Sequence, residues 1–132
     1  MILSDFPNAS ILFVVRNPLD SIASIYSGKT LIPGSLKAAI AYWNEAYSLY
    51  RFYKKILKNI FIIRYEDFAF NPEIIFKNFV YKIDPDIFLK SLDNSNLVKV
   101  PNIGSHLKIL NSDQIKIICD SCEEGIKFFK YN

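Results

Sequence analysis

The sequence predicts an α/β fold, a short parallel sheet flanked by helices, and three observations carry the prediction. Two short strands, Ile11 to Val15 and Ile60 to Arg64, are apolar without alternation, the second up to its closing arginine, as expected of strands buried in a parallel sheet. Between them lies a long stretch of helical periodicity. Strand, helices and strand make a crossover of the βαβ type, so the strands run parallel with a right-handed connection. Finally, Asn17-Pro18 and Asn71-Pro72 each place a helix N-cap before a proline at the first helical position, where the missing N–H costs nothing.

Taken in order, residues 1–10 are a short lead-in turned at Asp5, Pro7 and Asn8. The first strand leads into a helix from Pro18 to about Ser27, with Asp20 in its first turn, where the dipole favours negative charge. Its apolar stripe is Ile22, Ile25 and Tyr26, facing the sheet, and Gly28 ends it. Residues 29–34 form a loop with a Pro33-Gly34 turn. A long helix follows from about Ser35 to Leu57, because Leu36, Ala39, Ile40, Trp43, Ala46, Tyr47, Tyr50 and Tyr53 recur at three and four residues. Such a stripe reads as core, or less simply as one wall of an acceptor pocket.

Beyond the second strand, Glu66 and Asp67 are adjacent and so point differently, which suits loop capping or pairing with Arg better than catalysis. A helix runs from Pro72 to about Ile83, with Ile75, Phe76, Phe79, Val80 and Ile83 as its core face. Asp84-Pro85 stops it and opens a short helix carrying Ile87, Phe88 and Leu92. Residues 93–110 read as an extended loop holding Lys99, Pro101, Gly104, His106 and Lys108. The last helix runs from Asn111 to about Lys130, with Gln114 placed for a capping box and Leu110 and Ile115 for a hydrophobic staple.

At 132 residues the chain is one domain or part of one. With 51% hydrophobic and 15% aromatic residues it can bury a core, which excludes a disordered chain. The net charge of +3 suits a pocket for an anionic nucleotide but falls short of a surface coating nucleic acid. No segment reads as a signal peptide or a membrane helix, so a cytoplasmic protein with no membrane partner is expected. Cys119 and Cys122 form a C-x-x-C on the apolar face of the last helix with Ile115, Ile118, Ile126 and Phe129. No second cysteine pair or histidine cluster completes a metal site, so both are read as structural.

Lys far outnumbers Arg, so the few arginines stand out, and Arg16 and Arg64 both end strands. Arg16 sits at the carboxyl edge of a strand beside a helix N-terminus, where α/β sheets bind ligands and anions are favoured. Ser24 lies ~9 Å along that helix from Pro18, at ~1.5 Å per residue. The two could meet over one phosphate-sized anion. Equally, Arg16 could cap the sheet edge while Ser24 faces solvent.

The segment FPNASILFVVRNPLDSIASIYSGK resembles the 3′-phosphate-binding region of sulfotransferases that use 3′-phosphoadenosine 5′-phosphosulfate (PAPS). There a buried strand ends in Arg, with an Asp four residues later and a Ser eight residues after the Arg; Arg16, Asp20 and Ser24 match. A second block, IFIIRYEDFAFNPEIIFKNF, resembles the family's strand ending in Tyr-Glu-Asp, here Tyr65, Glu66 and Asp67, followed by Asn71 and Pro72. Both blocks in order, with a Trp-bearing helix between them, cover most of the chain.

The resemblance implies a P-loop-NTPase-like three-layer fold and transfer of a sulfonate from PAPS to a hydroxyl or amine acceptor, without a metal. Arg16 and Ser24 would bind the 3′-phosphate, and Tyr65 would lie near the adenosine. The parallel crossover would set Arg16 and Tyr65 at the same sheet edge. The family's 5′-phosphosulfate loop and its usual catalytic base have no counterpart among these residues, so no catalytic residue is assigned. His106, the sole histidine, is expected to face solvent along with Lys108, or else to lie over the nucleotide. Residues 1–132 therefore read as the C-terminal portion of a sulfotransferase domain, its other half supplied by another polypeptide or by a longer reading frame. The competing reading is an inactive fragment that binds adenosine 3′,5′-bisphosphate or serves as an interaction module. A small nucleic-acid binder is disfavoured, because the aromatics fall on core faces and the lysines are scattered.

Overall fold

A computed structural model describes residues 5, 8–28, 35–83 and 102–131. The chain divides into two compact units, one formed by Met1–Val15 with Lys54–Pro101, the other by Arg16–Tyr53 with Asn102–Asn132. The expected short helix after Asp84, and Lys99, lie outside the described residues.

The first unit is built on two strands, β1 (Ile11–Val15) and β2 (Ile60–Arg64), at the predicted bounds. They pair in parallel from Ile11 opposite Ile60 to Val15 opposite Arg64, so both strands end at one edge. The Ile11 N–H extends the pairing by donating to the Asn59 carbonyl at 2.8 Å. In-register residues of a parallel pair share a face, which sets Leu12 and Val14 beside Phe61 and Ile63. Phe61 is covered edge-on by Phe79, at 5.4 Å between ring centroids. Leu12 and Val14, by contrast, are 39% and 57% exposed, so β1 is not buried on both faces as its composition suggested. An unbroken apolar run reports the capacity for burial, while the covering partner has to come from elsewhere in the fold.

A helix that the sequence reading did not expect, α3 (Tyr65–Phe70), starts directly after β2. Its first turn is held by Arg64, whose Nε and Nη2 donate to the two Asp67 oxygens at 2.8 and 2.7 Å. This fork-on-fork contact gives Asp67 the Arg-pairing role that its position suggested. Helix α4 (Pro72–Ile83) follows at the predicted bounds.

In the second unit, α1 (Pro18–Tyr26) opens as expected, with the Asn17 side-chain oxygen accepting from the Leu19 N–H at 2.9 Å. It closes at Gly28, whose φ of 72° lies in the left-handed region that glycine enters without strain. Its buried face is Pro18, Asp20, Ile22, Ala23 and Ile25. That face packs on a 3₁₀ turn (Ser105–Lys108) and on α5 (Ser112–Ser121). Helix α2 (Leu36–Ile56) is capped by the Ser35 hydroxyl, which accepts from the Ala38 N–H. Its aromatic stripe is core: Trp43, Tyr47 and Tyr50 are buried and meet Phe128 and Phe129 at 5.5–6.1 Å between centroids.

The last predicted helix is broken into α5 and α6 (Glu123–Phe128), with Cys122 at φ −109°, ψ 11° between them. The capping box at Asn111 and Gln114 forms as predicted. At the break, the Asn44 amide donates to the Ser121 carbonyl at 2.9 Å, satisfying a helix-end acceptor from α2. The bend also seats Gly125 on the Trp43 ring, where a Cβ would come within 2.4 Å of that ring. Beyond α6 the Tyr131 N–H reaches the Ile126 carbonyl and Lys130 N–H the Lys127 carbonyl, a Schellman cap with Lys130 at φ 59°.

Candidate nucleotide site

Arg16 is the first residue after β1 and is fixed at two points. Its carbonyl accepts from the Trp43 indole N–H at 3.1 Å. Its guanidinium donates through Nη2 to the Asn102 carbonyl. Trp43 lies on the apolar stripe of α2, and a buried indole needs an acceptor. Here that acceptor is the backbone of the residue singled out for anion binding.

Asp20 proves to be more than a dipole partner. It is 1% exposed and accepts four hydrogen bonds from one short segment. Gly104 N–H and His106 N–H donate at 2.8 and 3.0 Å, the Ser105 hydroxyl at 3.2 Å, and the His106 ring contacts it through Nδ1 at 2.8 Å. Gly104, at φ 77°, supplies the left-handed residue that folds this segment back on the carboxylate. Burial raises the Asp20 pKa, but the bonds from the His106 and Gly104 main chain and from the His106 side chain outweigh it, leaving the pKa below its ordinary value.

The expectation that His106 faces solvent is therefore corrected. Its side chain is 16% exposed, because Asp20 draws the ring inward. Lys108 is exposed, as expected. Of residues 93–110, read as extended loop, Ser105–Lys108 is a 3₁₀ turn. The signal that could have shown this was a first-turn Asp beside a chain bearing Gly-Ser-His, a triplet rich in donors.

Ser24 is half-buried on α1, one turn beyond Asp20 and on the same side of the helix. Tyr65, also half-buried, begins α3 in the unit built on the sheet, whereas Arg16 and Ser24 belong to the helical unit. A cavity of about 310 Å³ borders Asn17, Leu19, Cys119, Ile126 and Tyr131, and neither Arg16 nor Ser24 lines it. Cys122 is buried, which pushes its thiol up to about 11, so it behaves as a core group. Among the described residues no cluster of His, Cys, Asp and Glu side chains is arranged to hold a metal ion, and no helix is long and apolar enough to cross a membrane.

These observations define a mixed, helix-rich α/β protein with a small two-stranded parallel sheet flanked by helices, in which a strand-ending arginine leads into a helix N-terminus. The model of the sulfotransferase family matches residues 1–83, more than half of the chain, and the chain belongs to that family. Sulfonate transfer is the chemistry this membership indicates. No curated protein and no solved structure matches the chain.

Proposed function

We propose that the chain binds PAPS, or the adenosine 3′,5′-bisphosphate left after transfer, through its 3′-phosphate, and so serves sulfonate transfer to a hydroxyl or amine acceptor. The observation that supports this most is Arg16. It follows a parallel strand, precedes a capped helix carrying Ser24, and is held at both its carbonyl and its guanidinium. A forked, permanently charged donor fits a phosphate better than an ammonium would. Tyr65 beside the adenosine rests on the family resemblance.

In the transfer, the bond from sulfur to the 5′-phosphate oxygen breaks, a bond from sulfur to the acceptor oxygen or nitrogen forms, and the acceptor loses a proton. Arg16 and Ser24 act at the opposite end of the nucleotide, so they contribute binding and orientation. In this reading residues 1–132 are the C-terminal portion of a P-loop-like three-layer domain that works in the cytoplasm. The groups around the 5′-phosphosulfate come from outside these residues, on the same or another polypeptide.

Calorimetric titration with adenosine 3′,5′-bisphosphate and with adenosine 5′-monophosphate tests the reading. The wild type should prefer the bisphosphate. Arg16→Ala should lose roughly 1.5–3 kcal/mol of that binding, and Ser24→Ala an amount at or below the lower end of this range. Arg16→Lys should recover part of the loss. All four proteins should bind the monophosphate equally poorly. A wild type that prefers neither nucleotide would favour an interaction module instead.

A further inference from the structure

We infer that Asp20 is a positioning residue for Arg16, acting through the segment from Asn102 to His106; this rests on the 3′-phosphate reading of Arg16. The connection is continuous on one unit. Arg16 donates to the Asn102 carbonyl. Two residues further on, Gly104 begins a run in which both Gly104 and His106 give their N–H groups to Asp20, together with the Ser105 hydroxyl and the His106 ring. The carboxylate is thus the hub on which the segment is folded, and the carbonyl that orients the guanidinium lies at the segment's start. Asp20 sits in the first turn of the helix that Arg16 leads into, so one end of this loop of contacts is covalently tied to the other.

Simple core filling does not account for the arrangement. An apolar residue at position 20 would bury more favourably, and an isolated carboxylate at 1% exposure would be costly. What four donors converging on one carboxylate provide is a single geometry for the segment. The guanidinium of an arginine has many rotamers. Holding it against a fixed carbonyl removes that freedom before a phosphate arrives, which is the preorganisation that converts a charge into a selective site.

The test is a double-mutant cycle read as the ratio of affinities for adenosine 3′,5′-bisphosphate and adenosine 5′-monophosphate. Asp20→Asn should lower this ratio by at least about threefold, the scale expected of groups coupled in one hydrogen-bonded network. In an Arg16→Ala background the same substitution should leave the ratio unchanged. Ser105→Ala, which removes one of the four donors and keeps the backbone, should lower the ratio by less and serves if Asp20→Asn does not fold. A purely structural Asp20 would weaken both nucleotides alike, or lower the ratio equally with and without Arg16, and either result overturns the inference. So does a Ser105→Ala protein with an unaltered ratio where Asp20→Asn cannot be obtained. Failure of the 3′-phosphate reading itself looks different: the wild type then shows no preference at the outset.

Discussion

A carboxylate withdrawn from water ordinarily resists ionisation, yet Asp20 is held below the ordinary value of 3.8. Burial, the largest single influence, raises it; the main-chain donors of His106 and Gly104 and the His106 side chain together lower it further. Because the folded-state pKa is depressed, the stabilisation is present above 3.8, the unfolded value, and is lost as pH falls through the lower folded value. Asp20→Asn should therefore be less stable than wild type by about 2–4 kcal/mol at neutral pH, the scale for breaking a buried hydrogen-bonded charge. That gap should narrow as pH drops below 3.8. Urea unfolding of both proteins from pH 7 to pH 2 measures it, and Asp67, lowered mainly by its Arg64 hydrogen bonds, titrates alike in both. A gap independent of pH would show that the carboxylate charge is not what holds the segment.

At the level of elements, a contest of magnitudes is set at Gly125. Alanine is favoured over glycine inside a helix by about 1 kcal/mol. Here, however, the added Cβ would lie 2.4 and 2.6 Å from two Trp43 ring carbons, and that ring is wedged between Gly125 and the Arg16 carbonyl. Overpacking of this kind costs roughly 1–3 kcal/mol, so Gly125→Ala should lower the thermal unfolding midpoint, as a melting curve would show. An unchanged or raised midpoint would mean that α6 can slide away from α2. The same contact shows where sequence reading stops. Both strands, the α1 cap, the span of α2, the start of α4 and the capping box were legible, because each rests on local periodicity or on a capping residue within four positions. The break at Cys122 was not, since it depends on Asn44 and Trp43, far away in the chain. The same holds for the site. Arg16 and Ser24 of the proposed site are marked by the family resemblance and its spacing, whereas the buried hub at Asp20 needs residues 104–106 brought back across the unit.

For the molecule as a whole, the proposed division of labour has a direct consequence. If residues 1–132 hold the 3′-phosphate end and the 5′-phosphosulfate is held elsewhere, this polypeptide alone should show no turnover of PAPS with phenol, alcohol or sugar acceptors. The size of the deficit is large, because loss of even one donor to developing charge typically reduces the rate by ~10²–10³. A radiolabelled transfer assay with PAPS and no added polypeptide measures it. Turnover there would show that the 5′-phosphosulfate is handled within these residues after all.

Trp43 is the sole tryptophan of the chain, and its surroundings make it an internal spectroscopic reporter. The indole N–H rests on the Arg16 carbonyl, and the ring is shielded by Gly125 and Phe129. Its emission should be that of a single, largely water-excluded fluorophore, placed against the backbone from which the proposed phosphate ligand projects. Occupancy of that ligand can thus be followed by light from the native protein, with no label attached and no second tryptophan to confuse the signal.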